Sequence, residues 1–272
     1  MRFKDFLLEE RQDRDSVKEF LTNELELDES DFEIHSDLSV TLFSDLNIET
    51  NKAQSIKRLP VKFREIQGSV WISNCKLESL IGLPHKIDGG IYITNARIKN
   101  LRFCPQELGS DGDVVLQNNR DLESLEGCPK TIPKTFGMTD CHKITSLEHG
   151  PSEVGYNYKV DTCNSLTSIK GMPTTIGKHL ALCNNRELRS LAGISKMLKS
   201  CGGKLDVSGS RFTSSIMGLV LIKGFTGIEY KFGSKDATTA FDIIFKCRSE
   251  GKDELECQDA LIDAGLQEFA QL

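Results

Sequence analysis

The chain has 272 residues, 38% hydrophobic and 27% charged, with 22 glycines, 9 cysteines and 7 prolines, a length and composition that can bury a core without disulfide or metal staples and exclude small cystine scaffolds. Its formal charge of −6 is uneven, with −7 on residues 1–60, +5 on residues 61–219 and −4 on residues 220–272. No stretch reaches the roughly 18 apolar residues of a membrane-crossing helix, no basic run or aromatic RNA-binding motif points to nucleic acid, and the charged opening MRFKDFLLEERQD lacks the apolar region of an export signal.

Residues 1–55 read as an N-terminal helical and hairpin cap. Phe3, Phe6 and Leu7 fall on one helical face, and Ser16 with Glu19 predicts a capping box ahead of VKEFLTNELEL. The stretch FEIHSDLSVTLF is hairpin-like.

Residues 56–219 are periodic. Pro60, Pro84, Pro105, Pro129, Pro151 and Pro173 are spaced by 24, 21, 24, 22 and 22 residues, the period of a solenoid. Pro133 falls inside a coil. Aligned on these prolines, blocks such as GSVWISNCKLESLIGLP, GGIYITNARIKNLRFCP and GDVVLQNNRDLESLEGCP share the leucine-rich-repeat pattern L-x-L-x-x-[N/C]-x-L-x-x-L. Alternation along a strand predicts the inward pairs Val70/Ile72, Ile91/Ile93, Val114/Leu116, Phe136/Met138, Tyr158/Val160, Leu180/Leu182 and Leu205/Val207. Three residues later comes a ladder, Cys75, Ala96, Asn119, Cys141, Cys163, Asn185 and Ser210, whose polar members can satisfy backbone groups left over at the turn. Two further apolar columns, beginning Leu77/Leu80 and Ile98/Leu101, fill the interior. Seven coils are predicted, preceded by a degenerate eighth ending at Pro60. The third carries an extra residue before Leu122, and the last places Phe212 and Ile216 loosely, as a capping coil does.

Residues 220–272 read as a C-terminal cap. GFTGIEYKF predicts a last strand, and helices are predicted over DATTAFDIIFKCR and DELECQDALIDAG with Gly265 as the stop. The fold class is therefore a leucine-rich-repeat solenoid, a parallel sheet of seven to eight coils with a cap at each end.

The blocks LESLEGCP, LTSIKGMP and LALCNNREL resemble the leucine-rich-repeat proteins of large tailed, T-even-type bacteriophages over about residues 56–219. The repeats at Phe136 and Tyr158 depart from the pattern. ECQDALIDAGLQEFAQL, Glu256 to Leu272, is similar to the C-terminal segment of such proteins. The opening MRFKDFLLEE resembles the capsid-targeting segment of internal head proteins, with an apolar-x-Glu cleavage signal in Leu7-Leu8-Glu9 or Leu8-Glu9-Glu10. That resemblance implies packaging with DNA and trimming after Glu9 or Glu10. The competing reading is an amphipathic helix covering the end of the solenoid.

No Walker loop, dinucleotide fingerprint, nucleophile elbow or H-E-x-x-H motif is present, so no enzymatic activity, cofactor or small-molecule substrate is expected. His35, His85, His142, His149 and His179 are scattered and expected on solvated turns. The odd cysteine count predicts reduced thiols. Cys141 and Cys163 share a column, but structural zinc wants four ligands, so they and Cys104 and Cys128 read as small core residues and no metal is expected.

Stacked coils turn their outward residues into rows. One row reads Trp71, Tyr92, Val115, Gly137, Lys159, Ala181 and Asp206, and the next Ser73, Thr94, Gln117, Thr139, Asp161, Cys183 and Ser208. The lone tryptophan beside Tyr92 marks an interface for a protein partner, of host or phage; the alternative is that the N-terminal hairpin folds over this patch. Together with the resemblance, these rows predict a non-enzymatic binding protein acting in the cytoplasm of an infected bacterium, in host takeover or against a host defence. The alternative is a virion or internal head protein.

Overall fold

Apolar residues two apart, recurring every 22 or so residues, bury themselves by laying each strand parallel to the one before it. The computed structural model describes residues 13–49 and 56–271 and has this arrangement, a β-solenoid of about eight turns. Its main sheet has nine strands, β3 (Leu46–Ile48), β5 (Val70–Ser73), β6 (Ile91–Thr94), β7 (Val114–Gln117), β9 (Phe136–Thr139), β11 (Tyr158–Asp161), β13 (Leu180–Ala181), β15 (Lys204–Asp206) and β16 (Gly227–Glu229), all parallel. Every predicted inward pair is buried at 1% exposure or less. The degenerate first coil supplies β3, and GFTGIEYKF supplies β16.

A second parallel sheet runs along another side of the coils, made of β8 (Thr131–Ile132), β10 (Glu153–Val154), β12 (Thr175–Ile176) and β14 (Ser200–Cys201). Its signal lay in the sequence as the recurring KTI, SEV, TTI and KSC after each coil closes, whose last members are buried. Stacking here is so tight that a Cβ on Gly177 would lie 1.9 Å from the Gly155 carbonyl oxygen.

The polar ladder holds neighbouring coils together. Asn119 Oδ1 accepts from the Ala96 N–H at 3.0 Å while its Nδ2 donates to the Ile93 carbonyl at 2.8 Å. Asn185 repeats this with Cys163 N–H and Val160 carbonyl at 2.9 Å each, and Ser210 does so with Asn185 N–H and Leu182 carbonyl at 3.1 and 2.8 Å. The extra residue before Leu122 is not peculiar to the third coil. Leu122, Ile144, Leu166 and Leu188 each donate to the carbonyl of the ladder residue three before it, closing the same turn in four successive coils.

The chain leaves six successive strands, β5, β6, β7, β9, β11 and β13, through a left-handed residue, Asn74, Asn95, Asn118, Asp140, Thr162 and Asn184, with φ between 51° and 56°. Asn and Asp tolerate this region better than other side-chain-bearing residues, which explains the recurrent asparagine ahead of the ladder.

The N-terminal cap departs from expectation at its start. Helix α1 (Arg14–Glu19) is capped by Asp13, whose Oδ1 accepts from the Ser16 N–H at 2.8 Å and the Ser16 hydroxyl at 2.7 Å. Ser16 is therefore a donor to the cap, one turn inside the helix, because the Asp13 carboxylate is the stronger acceptor for those N–H groups. The hairpin is present as β1 (Phe32–Ile34) antiparallel to β2 (Val40–Leu42), with β4 (Phe63–Ile66) completing a separate three-stranded sheet. Phe3, Phe6, Leu7, Glu9 and Glu10 lie outside the described residues.

A short helix, α2 (Ile194–Met197), lies where the sixth coil closes and passes into the seventh, and the C-terminal cap is the predicted pair α3 (Lys235–Ser249) and α4 (Glu254–Asp263), with Gly265 at φ +75° as the stop. Phe212 and Ile216 are as buried as other core residues, at 1% and 0%, because α3 and the closing segment cover the last coil. Arg248 pins α3 there. Its Nη1 donates to the carbonyls of Leu219, Val220 and Ile222 at 2.7, 2.9 and 3.0 Å, and its guanidinium lies 4.0 Å from the Phe225 ring centroid.

Candidate protein-binding face

Register decides what the outward face presents. Trp71 pairs with Tyr92, Tyr92 with Val115, Val115 with Gly137, Gly137 with Lys159, Lys159 with Ala181 and Ala181 with Asp206, so the first predicted row is continuous across seven strands. Ser73, Thr94, Gln117, Thr139 and Asp161 are likewise in register beside it. The face continues one residue further at each end, with Asn47 opposite Trp71 and Glu229 opposite Asp206. These two were missed because their strands sit in the degenerate end coils, where the repeat pattern fades.

Eight strand spacings span about 38 Å and four residues about 13 Å, a footprint of about 500 Å² before side-chain relief. Its N-terminal part is neutral and aromatic. Trp71 and Tyr92 stack with ring centroids 3.8 Å apart and planes 8° from parallel. Val115 extends this ridge, and Gly137 ends it with open space where a Cβ would meet only the Val115 methyls at 3.9 and 4.0 Å. The C-terminal part carries Lys159, Asp161, Asp206 and Glu229; Asn47, Gln117, Lys159 and Glu229 are exposed and the remaining row members half-buried.

The aromatic pair is held from its flank. Asp45 Oδ1 accepts from the Ser69 N–H at 2.7 Å and its Oδ2 from the Trp71 indole N–H at 3.3 Å. The Tyr92 hydroxyl donates to Asp113 Oδ2 at 3.2 Å, and Asp113 Oδ1 accepts from the Thr135 N–H at 2.8 Å. Burial, then the Asp113 charge, pushes the Tyr92 phenol up to about 12, keeping it a donor. Asp45 and Asp113 belong to a further ladder just ahead of the strands, in which Asn157 accepts from His179 N–H and His179 Nδ1 from Lys204 N–H, at 3.2 and 2.9 Å. His179 thus departs from the solvated role expected of it, since its position in the stack sets its ring against a backbone donor. The hairpin strands join β4 rather than this face, and the partners of the two rings among the described residues are each other, Asp45 and Asp113.

The thiols fit core packing. Cys104, Cys128, Cys141 and Cys163 are buried, and burial pushes Cys141 up to about 11 and Cys128 and Cys163 up to about 12. Among the described residues no group of three or more His, Cys, Asp or Glu could hold a metal ion, and no helix is long and apolar enough to cross a membrane.

The chain matches no family model, no curated protein and no solved structure. Function therefore rests on the geometry of the face.

Proposed function

We propose that this chain is a non-enzymatic binding protein that captures a protein partner through the outward face of its parallel sheet. The stacked Trp71–Tyr92 pair carries this reading. Large, pre-ordered aromatic surface facing outward on a rigid scaffold is the feature that dominates binding energy in protein interfaces. Hydrogen bonds to Asp45 and Asp113 hold both rings before any partner arrives, which lowers the ordering entropy of association. With its flanking turns, the face approaches the roughly 800 Å² per partner of a standard interface.

The resemblance of the repeat blocks to leucine-rich-repeat proteins of large tailed phages supplies the setting. In this reading the protein works in the cytoplasm of the infected bacterium, in host takeover or in blocking a defence component. Affinity capture from infected cells with the wild-type chain and W71A in parallel tests it: a host protein held by the former and lost by the latter supports the reading. Recovery of nothing but capsid components sinks the host-target idea.

The second reading, an internal head protein, rests on MRFKDFLLEE. Mass spectrometry of purified particles decides it, because packaging requires a processed form beginning at Glu10 or Arg11.

A further inference from the structure

The inter-coil ladder stops at the seventh coil. Asn119, Asn185 and Ser210 each reach back to the preceding coil, but no described residue reaches back to Ser210 in the same way, because after β16 the chain turns through Phe232, Gly233 and Ser234 into α3. The Ser210 N–H, in a residue 2% exposed, has the Val207 carbonyl at a long 3.4 Å. Where the next turn would stack there is a cleft of about 520 Å³.

Its floor is Ser210, Phe212 and Ala237, each exposed by 2% or less. Phe232 forms an aromatic wall, braced edge-on against Phe212 at 5.9 Å and tilted against Phe241 at 4.9 Å. Arg189 and Arg211 also line it, and among the described residues no acidic side chain does. Arg189 shares an exposed ion pair with Glu187 at 3.4 Å. Arg211 is exposed and has no ion-pair or hydrogen-bond partner among the described residues.

We propose that this cleft binds a small organic anion with a flat apolar body, its carboxylate or phosphate held by Arg211 and Arg189 and its body laid against Phe232 and Phe212. Guanidinium groups present paired donors matched to either anionic group, and the aromatic wall supplies the apolar contact that a bare inorganic ion cannot use. The volume lies within the range of about 300–1,000 Å³ usual for small-molecule sites. Trp71 is six strand spacings away, about 29 Å, so the cleft is independent of the protein-binding face.

Calorimetry on the full chain at low salt tests this with phenyl phosphate, benzoate and inorganic phosphate as probes. Phenyl phosphate or benzoate is expected to bind with a Kd below about 1 mM, and inorganic phosphate at least about tenfold more weakly. R211A should weaken the aromatic probe by about tenfold or more, the loss expected for one charge-assisted contact, with circular dichroism unchanged. W71A should leave it unaltered. Which of the two aromatic probes binds more tightly identifies the anionic group. Absence of binding by both at about 10 mM, equal affinity for inorganic phosphate, or undiminished affinity in R211A overturns the proposal.

Discussion

Trp71 and Tyr92 lie face to face with centroids 3.8 Å apart, each bonded on its flank to a different aspartate, Asp45 and Asp113. Both rings stand outside the core, so truncating them should separate binding from stability. W71A is expected to abolish partner capture while lowering stability by only about 1–3 kcal/mol, from the stacking contact, the half-buried ring area and the hydrogen bond to Asp45. Thermal unfolding beside a pull-down checks this; a loss of several kcal/mol would mean that the pair serves the fold instead.

Asn119 should behave in the opposite way. Asn119→Ala leaves the Ala96 N–H unpaired in the interior and removes a second bond to the Ile93 carbonyl, which its place in the β6–β7 ladder still pairs, so unfolding in urea should show a loss of about 2–4 kcal/mol. Asn119→Ser should recover part of it, since Ser210 fills the same role with a hydroxyl.

Arg248 ties the C-terminal cap to the last coil through three carbonyls. Arg248→Met is expected to destabilise by about 2–4 kcal/mol. In a one-dimensional stack the damage stays near the end, so hydrogen exchange should accelerate in α3 and leave β5 to β9 protected. Uniform acceleration across all strands would contradict this.

Tyr158 is fully buried against Phe136, with centroids 5.0 Å apart, and its hydroxyl has no hydrogen-bond partner among the described residues. Tyr158→Phe removes an unsatisfied buried group while keeping the ring, so chemical denaturation should show a gain of about 1 kcal/mol or more. A loss would reveal a partner for the hydroxyl.

Alkaline pH should weaken the fold. Burial holds the thiols of Cys128 and Cys163 at about 12 and Cys141 at about 11, against an ordinary 9.0 in the unfolded chain. Between those values the folded state binds more protons than the unfolded one, so each step up in pH favours unfolding. The urea midpoint should hold below pH 9 and fall from there toward 12, and Cys163→Ala should flatten the fall. An unchanged midpoint at about pH 10.5 would contradict it.

The solenoid was legible because its information is local and repeated. Each inward pair and ladder residue recurs at a fixed offset, so seven coils corroborate one another where a single match would mean little. The second sheet also left a trace in its buried Ile132, Val154, Ile176 and Cys201, but two-residue strands carry too little alternation to stand out from turns. Asp13 escaped notice as the cap of α1 because Ser16 and Glu19 mimic a capping box, and only the backbone geometry distinguishes them. His179 looked like a turn residue, and its acceptor role depends on a Lys204 N–H 25 positions away.

The sequence alone determined the coil length, the buried columns and the order of residues along the outward rows, since strand periodicity and coil period follow from spacing. Tertiary structure decided what depends on contacts between coils: that Trp71 and Tyr92 stack, that Asp45 and Asp113 hold them, that Arg248 seals the last turn, and that the stack ends in a cleft between two arginines and a phenylalanine. Those relations join residues 21 to 43 positions apart in the chain, and their distances are set by how one coil packs on the next.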